Sequence, residues 1–363
     1  MINKKYKLAV LIGTRPGIVK MSVVYHAVIK SGCEAVLIHS GQHYSALMDD
    51  EIVRDVGLPG PDYRFIRPDD CELHGAQTAF MLQNIETALI DSKPDLLFVC
   101  GDANTNLAGA LAARKLGITL AHVEAGLRSY DWRMPEEHNR RMIDHISDLL
   151  FAPTLDCVKH LQKESVLGEI HCVGNTVADS ALRFRPTVSE RSGSALLTLH
   201  REENVDDPIV LEKLLKEVGK IVEHSKIPVL FLTHPRTRKN IDKFGLRGAL
   251  HANIDMVEPV KYIEMLKLIN EAEFVLTDSG GLQEEACILG TPCYTLRRST
   301  ERPESVECGA NIILGVDHSA DVFIEHYTQE KSTWNSPYGD GTTANEIVEN
   351  SIKHLEDQIE NDK

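Results

Sequence analysis

The chain has 363 residues, with 39 Lys and Arg against 54 Asp and Glu, giving a formal charge of −15 with 16 His uncounted. That length favours two domains, and 42% hydrophobic with 26% charged residues excludes a disordered, collagenous or membrane chain. The acidic balance argues against a general nucleic-acid or anionic-membrane binder, so an anionic ligand has to meet local positive charge.

Short apolar, β-rich runs alternate with longer helical patterns, the signature of parallel sheets covered by helices on both faces. The strands expected in the first half are Lys7–Ile12, Glu34–His39, Leu96–Cys100, Thr119–Val123, Leu149–Phe151 and Glu169–Val173. In the second half they are Ala195–Leu199, Val229–Leu232, Ile254–Val257, Glu273–Leu276, Cys293–Leu296 and Ile312–Leu314. Asn106–Leu116 and Leu282–Leu289 read as helices between them. Two such sets predict two Rossmann-like domains, 1–185 and 186–345, joined through the Pro-, Ser-, Arg- and Gly-rich stretch Phe184–Ser194. A final helix, Thr343 to about Gln358, is expected to return its 346–363 segment to the N-terminal domain.

The eight cysteines show no CxxC and no zinc-type Cys/His spacing, and several lie in apolar runs. They read as buried thiols of a reducing compartment. The apolar run Leu8–Ile12 is too short for a signal-peptide core, so a cytoplasmic protein without membrane insertion is expected.

In open parallel sheets, ligands bind beyond the carboxyl ends of the strands. Here those positions are polar: Gly13-Thr14-Arg15-Pro16, Ser40-Gly41-Gln42-His43, Gly101-Asp102, Glu124-Ala125-Gly126, Gly174-Asn175-Thr176, His200-Arg201-Glu202, Thr233-His234-Pro235 and Asp278-Ser279-Gly280-Gly281. One such loop is as readily a turn or a helix cap; eight together point to a ligand cleft between two lobes.

Asp278-Ser279-Gly280-Gly281 follows a strand and opens a helix, so free N–H groups and a positive helix end form a phosphate site. Glu284 and Glu285 in its first turn either complement the helix dipole or accept from ribose hydroxyls. Neither GxGxxG with its acidic partner nor GxxxxGK[ST] is present, so neither a dinucleotide fold nor a P-loop is supported. Arg297, Arg298 and Arg302, with Arg15 and Lys20, supply cations for a diphosphate. Asp102 and Glu124 end successive strands, and Glu136 and Glu137 open a helix after Pro135. Clustered carboxylates can serve as base and acid, although the second pair equally suits a helix N-terminus. His200, at a strand end, is placed to touch a phosphate or carry a proton; His43 and His234 have weaker claims.

These residues, with His122-Val123-Glu124-Ala125-Gly126-Leu127-Arg128, Asn139-Arg140, Gln283-Glu284-Glu285, Thr300-Glu301-Arg302-Pro303-Glu304 and Asn335-Ser336-Pro337-Tyr338-Gly339-Asp340-Gly341, resemble the non-hydrolysing UDP-N-acetylglucosamine 2-epimerases along nearly the whole chain. The resemblance implies an α/β fold of GT-B type, two Rossmann-like domains flanking a deep cleft, usually a homodimer, without metal or nicotinamide cofactor. It implies inversion at carbon 2 of UDP-GlcNAc by anti elimination of UDP to 2-acetamidoglucal and re-addition. Asp102, Glu124 and Glu136 correspond to the acid/base carboxylates and His200 to the essential histidine. Arg15, Lys20, Met265, Ser279, Gly280, Gly281, Glu285 and Arg302 correspond to UDP-sugar ligands, with the Val260–Met265 segment against the uracil. Substrate-activated members carry Gln near Ser45 and Arg near Ala76. Both differ here, so that activation is not expected, although Gln42, His43, Gln77, Arg201 and His234 remain as regulatory or supporting candidates. Gly17 and Arg298 each stand where the family usually carries an acid, which brings a UDP-diacetamido uronic acid into consideration as substrate. A hydrolysing epimerase, a GT-B glycosyltransferase and a nucleotide-sugar sensor are the further alternatives.

Overall fold

The computed structural model describes residues 6–42, 46–68, 71, 73–187, 191–327 and 333–361. The chain forms two compact units, Met1–Ser180 with Tyr338–Lys363, and Ala181–Pro337. The expected boundaries, near 185 and 346, fall a few residues after these changeovers.

The first unit holds seven parallel strands: β1 (Lys7–Ile12), β2 (Glu34–His39), β3 (Tyr63–Arg64), β4 (Leu96–Cys100), β5 (Thr119–Val123), β6 (Leu149–Ala152) and β7 (Glu169–Cys172). Their order is β3-β2-β1-β4-β5-β6-β7. Every residue of β4 and β5 is buried, as helices on both faces require. The short edge strand β3 escapes sequence reading because two residues give no periodicity; it forms by pairing Tyr63 with Ile38.

The second unit holds β8 (Ala195–Leu199), β9 (Val229–Thr233), β10 (Ile254–Val257), β11 (Val275–Thr277), β12 (Cys293–Thr295) and β13 (Asn311–Ile313) in the order β10-β9-β8-β11-β12-β13, again all parallel. Its core gathers Leu197, Phe231, Phe274, Tyr294 and Phe323. Four of these strands differ from expectation by one or two residues: β9 and β11 run on to the polar Thr233 and Thr277, whereas β12 and β13 stop before Leu296 and Leu314, where the apolar run continues past the hydrogen-bonded ladder.

Each sheet reverses its strand order once, between β1 and β4 in the first unit and between β8 and β11 in the second. Loops leaving the carboxyl ends of those pairs diverge and open a crevice. At the first reversal, a Cβ on Gly13 would lie 2.1 Å from Ser40 Oγ and 2.5 Å from Thr105 Oγ1, so only glycine fits there.

The final helix, Thr343–Asn361, packs on the helix Arg15–Lys30 within the first unit. Asp179 accepts a hydrogen bond from Ala344 N at 2.8 Å and Asn175 N donates to Tyr338 O at 2.9 Å, fastening the returning segment. Among the described residues no helix is long and apolar enough to cross a membrane, and no cluster of His, Cys, Asp and Glu could hold a metal. All eight cysteines are free thiols. Contrary to the expectation of buried thiols, Cys172 is exposed and Cys71 and Cys308 are half-buried, since Cys172 and Cys308 lie at element ends and Cys71 in a loop rather than in a core run.

Candidate active site

A cavity of about 390 Å³ opens at the strand reversal of the first unit, lined by Thr14, Gly17, Lys20, Gln42, Gln77, Asp102, Glu124, Glu136 and Asn139 among others. Cys100 of β4 is in register with Val123 of β5, so Asp102 and Glu124 leave adjacent strand ends. Gly101, at φ +76°, turns the chain there and donates its N–H to Val123 O at 3.0 Å. Glu124 itself has φ +67°, a left-handed backbone that costs a non-glycine residue on the order of 1 kcal/mol or more. Such strain at the mouth of a cavity is typical of residues whose direction matters.

Lys20 donates to both oxygens of Glu124, at 2.6 and 2.7 Å. Asn175 Nδ2 donates to Glu124 Oε1 at 3.4 Å, and the Cys100 thiol approaches Glu124 Oε2 at 3.7 Å. Burial, then the Glu124 charge, pushes that thiol well above its ordinary value. Lys20, which the resemblance places among the UDP ligands, is thus ion-paired with a candidate catalytic carboxylate.

Asp102 takes a charge-assisted hydrogen bond from Arg140, and its carbonyl accepts from Asn139 Nδ2 at 2.9 Å. Both donors sit on the helix Pro135–Ile146. The first turn of that helix resolves the two readings of its acids. Glu137 is fully buried, accepting from Ser129 N at 2.9 Å, Arg141 at 3.0 Å and Arg140 at 3.1 Å. Burial pushes its carboxyl up, but these donors outweigh burial and hold it below its ordinary value. Glu136 faces the cavity and has no hydrogen bond or ion pair among the described residues.

Gln42 accepts from Thr105 N at 2.9 Å and Thr105 Oγ1 at 2.6 Å. It thereby caps the helix Asn104–Leu116, whose own N-cap, Ala103, has no side chain to do so. Gln77 lines the cavity, His43 lies outside the described residues, and Arg15 is exposed at the start of its helix.

At the strand reversal of the second unit, His200 follows β8 and Asp278 follows β11, with Thr198 and Thr277 in register. His200 Nδ1 lies 3.0 Å from Asp278 Oδ1, and the wholly buried Asp278 also accepts from His200 N, Arg201 N and Asn204 Nδ2 at 3.0 to 3.1 Å. Burial raises this carboxyl, but the His200 bond and the other donors hold it below its ordinary value. An ionised Asp278 requires the proton on Nδ1, which leaves Nε2 for a ligand. The Asp–His pair was missed in the sequence, where Asp278 reads only as part of a phosphate loop; the signal was the adjacency of β8 and β11. His234 caps the helix Pro235–Lys243 through Nδ1, accepting from Arg236 N at 3.3 Å, and its ring lies 6.3 Å from that of His200. Burial, then His200, lowers its pKa.

Ser279 precedes the helix Gly280–Leu289 without a side-chain cap bond, so the first N–H groups are not satisfied by it. Glu285, from the same helix, is buried beside Tyr262, whose hydroxyl is pushed up by burial and then by Glu285. Met265 lies half-buried on the helix Tyr262–Glu271. Arg302 is anchored by buried Glu284 at 2.6 Å, and Arg201 Nη2 lies 3.6 Å from Glu301. Arg297 pairs with Glu301 and Glu203 beside a cavity of about 290 Å³. Arg298, 80% exposed, pairs with Asp317.

The family model described as UDP-N-acetylglucosamine 2-epimerase matches residues 27–351. The UDP-N-acetylglucosamine 2-epimerase of Methanococcus maripaludis is 43% identical over 94% of this chain and 97% of its own length. The UDP-2,3-diacetamido-2,3-dideoxy-D-glucuronate 2-epimerase of Pseudomonas aeruginosa is 40% identical over 88% of this chain and 90% of its own. A crystal structure of the Methanocaldococcus jannaschii UDP-GlcNAc 2-epimerase with UDP-GlcNAc and UDP superposes with a TM-score of 0.80 at 41% identity, covering 96% of this chain and 99% of that one. The chain belongs to the non-hydrolysing UDP-N-acetylglucosamine 2-epimerase family.

Proposed function

We propose that this chain is an isomerase that interconverts UDP-GlcNAc and UDP-ManNAc without a cofactor. The observation that carries the reading is the convergence of Asp102, Glu124 and Glu136 on one cavity in the first unit. The relatives' substrate supports the sugar's identity. In the GT-B arrangement proposed with it, the sugar meets these carboxylates while the diphosphate meets Ser279, Gly280, Gly281, Arg302, Arg15 and His200, with Glu285 on the ribose and Met265 near the uracil. A cytoplasmic homodimer completes the proposal: the free thiols support a reducing compartment, and the homodimer is what the resemblance implies.

The chemistry follows from bond strengths. Carbon 2 has no adjacent carbonyl, so its hydrogen is too weakly acidic for a carboxylate to remove directly. The bond from carbon 1 to the bridging oxygen therefore breaks first, its electron pair leaving with UDP, and the resulting cationic sugar acidifies that hydrogen. A carboxylate takes the proton from carbon 2, and the C–H electron pair becomes the double bond of 2-acetamidoglucal. In the return step an acid protonates carbon 2 on the opposite face, and a phosphate oxygen closes the bond to carbon 1. Cations stabilise departing UDP and anions the oxocarbenium, each fixed before the reaction begins.

Proton NMR of UDP-GlcNAc with the enzyme in heavy water tests this. UDP-ManNAc deuterated at carbon 2 with little free UDP is expected. Stoichiometric UDP and ManNAc would point to hydrolysis, and binding without turnover to a sensor. The Pseudomonas relative favours a second reading, the same inversion on a diacetamido uronic acid; Arg298, engaged with Asp317, lends that reading no free cation. Comparing kcat/KM on the two sugars decides between them.

A further inference from the structure

His122, on β5 two residues before Glu124, is completely buried and is used by no step of the proposed reaction. Both of its ring nitrogens face acceptors. Nδ1 lies 2.7 Å from Asp144 Oδ1, and Nε2 lies 3.1 Å from the carbonyl oxygen of Gly101, the residue preceding Asp102. A carbonyl can only accept, so Nε2 carries a hydrogen. Asp144 Oδ2 is 2.8 Å from Arg128 Nη1 and accepts Gly126 N–H at 3.2 Å, which favours an ionised carboxylate that can only accept on Oδ1 as well. Burial raises the Asp144 carboxyl, but His122 and Arg128 outweigh it and keep it low.

Charge balance agrees. From Asp102 the contacts run through Arg140, Glu137, Arg141, Glu164 and Arg128 to Asp144, a chain of four carboxylates and three guanidiniums. Arg128 and Asp144 are wholly buried, where an unbalanced charge is costly. One further cation closes the chain, and His122 stands at its open end.

We infer that His122 is a buried imidazolium that acts as a positioning residue, tying the Gly101–Asp102 turn to the helix Pro135–Ile146. The same helix holds the Asp102 carbonyl through Asn139 and its carboxylate through Arg140. The turn is therefore gripped at two successive carbonyls and one side chain, which sets the direction of Asp102.

The effect on turnover rests on the epimerase reading; the protonation state does not, and the test separates them. Nitrogen-15 NMR of histidine-labelled protein without nucleotide at pH 7.5, where a free imidazole is mostly neutral, reads the ring directly. Its signals are assigned by difference against His122→Gln or, if that variant does not fold, against Asp144→Asn. Two protonated ring nitrogens are expected, and one bare nitrogen overturns the inference. Folded His122→Gln should lose about 10- to 100-fold in kcat on UDP-GlcNAc, with KM within about twofold, the pattern of a misaimed group rather than lost binding. Wild-type kcat in that folded variant overturns the positioning role. Absence of turnover by the wild-type enzyme would instead refute the reaction and leave the NMR result to judge the imidazolium.

Discussion

The ammonium of Lys20 bridges both oxygens of Glu124, at 2.6 and 2.7 Å, and the two side chains are only 14% and 6% exposed. Removing one partner of such a pair strands the other charge in a poorly solvated site. Lys20→Met is expected to lower the unfolding free energy by about 3–5 kcal/mol. Urea denaturation checks this, and an unchanged midpoint with unchanged slope would show that the pair adds no stability.

Asp102→Asn, Glu124→Gln and Glu136→Gln each keep the side chain's shape while removing its capacity to exchange a proton. Each is expected to reduce kcat on UDP-GlcNAc by about 100-fold or more, with the substrate still bound. Near-normal turnover in all three would remove the carboxylates from the chemistry.

Asp278→Asn keeps hydrogen-bonding capacity beside His200 but removes the charge that holds the proton on Nδ1. Loss of about 100-fold in kcat is expected, approaching that of His200→Ala, because the ring can present the wrong nitrogen. If Asp278→Asn turns over normally while His200→Ala does not, the histidine acts without its buried partner.

Glu137, Asp144 and Asp278 are all held below their ordinary values in the folded protein. A depressed carboxyl binds fewer protons folded than unfolded below its ordinary range, so its stabilising contribution is complete above that range and fades as pH falls through the folded value. The melting temperature is therefore expected to be insensitive to these groups above about pH 5 and to drop steeply below about pH 4. In the triple variant Glu137→Gln, Asp144→Asn, Asp278→Asn the acid limb should flatten at lower overall stability; an unaltered slope would contradict this assignment.

All strands of both sheets except β3 were legible because most are apolar runs followed by polar or glycine residues, and that pattern survives without knowledge of tertiary contacts. Asp102 and Glu124 were readable as a pair because they end consecutive strands, which turn out to be neighbours. The Asp278–His200 bond was not legible, since it joins residues 78 apart through strands that become adjacent only where the sheet order reverses. Nor could spacing separate Glu136 from Glu137: one position along a helix turns a side chain by about 100°, which here sends one acid to the cavity and the other into an arginine cluster. The role of Gln42 was hidden for a related reason, because a cap supplied from another loop leaves no local capping motif.

Positional isotope exchange addresses the bond-breaking step itself. UDP-GlcNAc carrying oxygen-18 in the bridge between carbon 1 and the β-phosphorus should, as UDP-ManNAc accumulates, show label spreading into the non-bridging β-phosphate oxygens, which become equivalent once UDP is free to rotate. UDP-ManNAc formed over many turnovers with all the label still in the bridge would mean that the nucleotide never left the sugar.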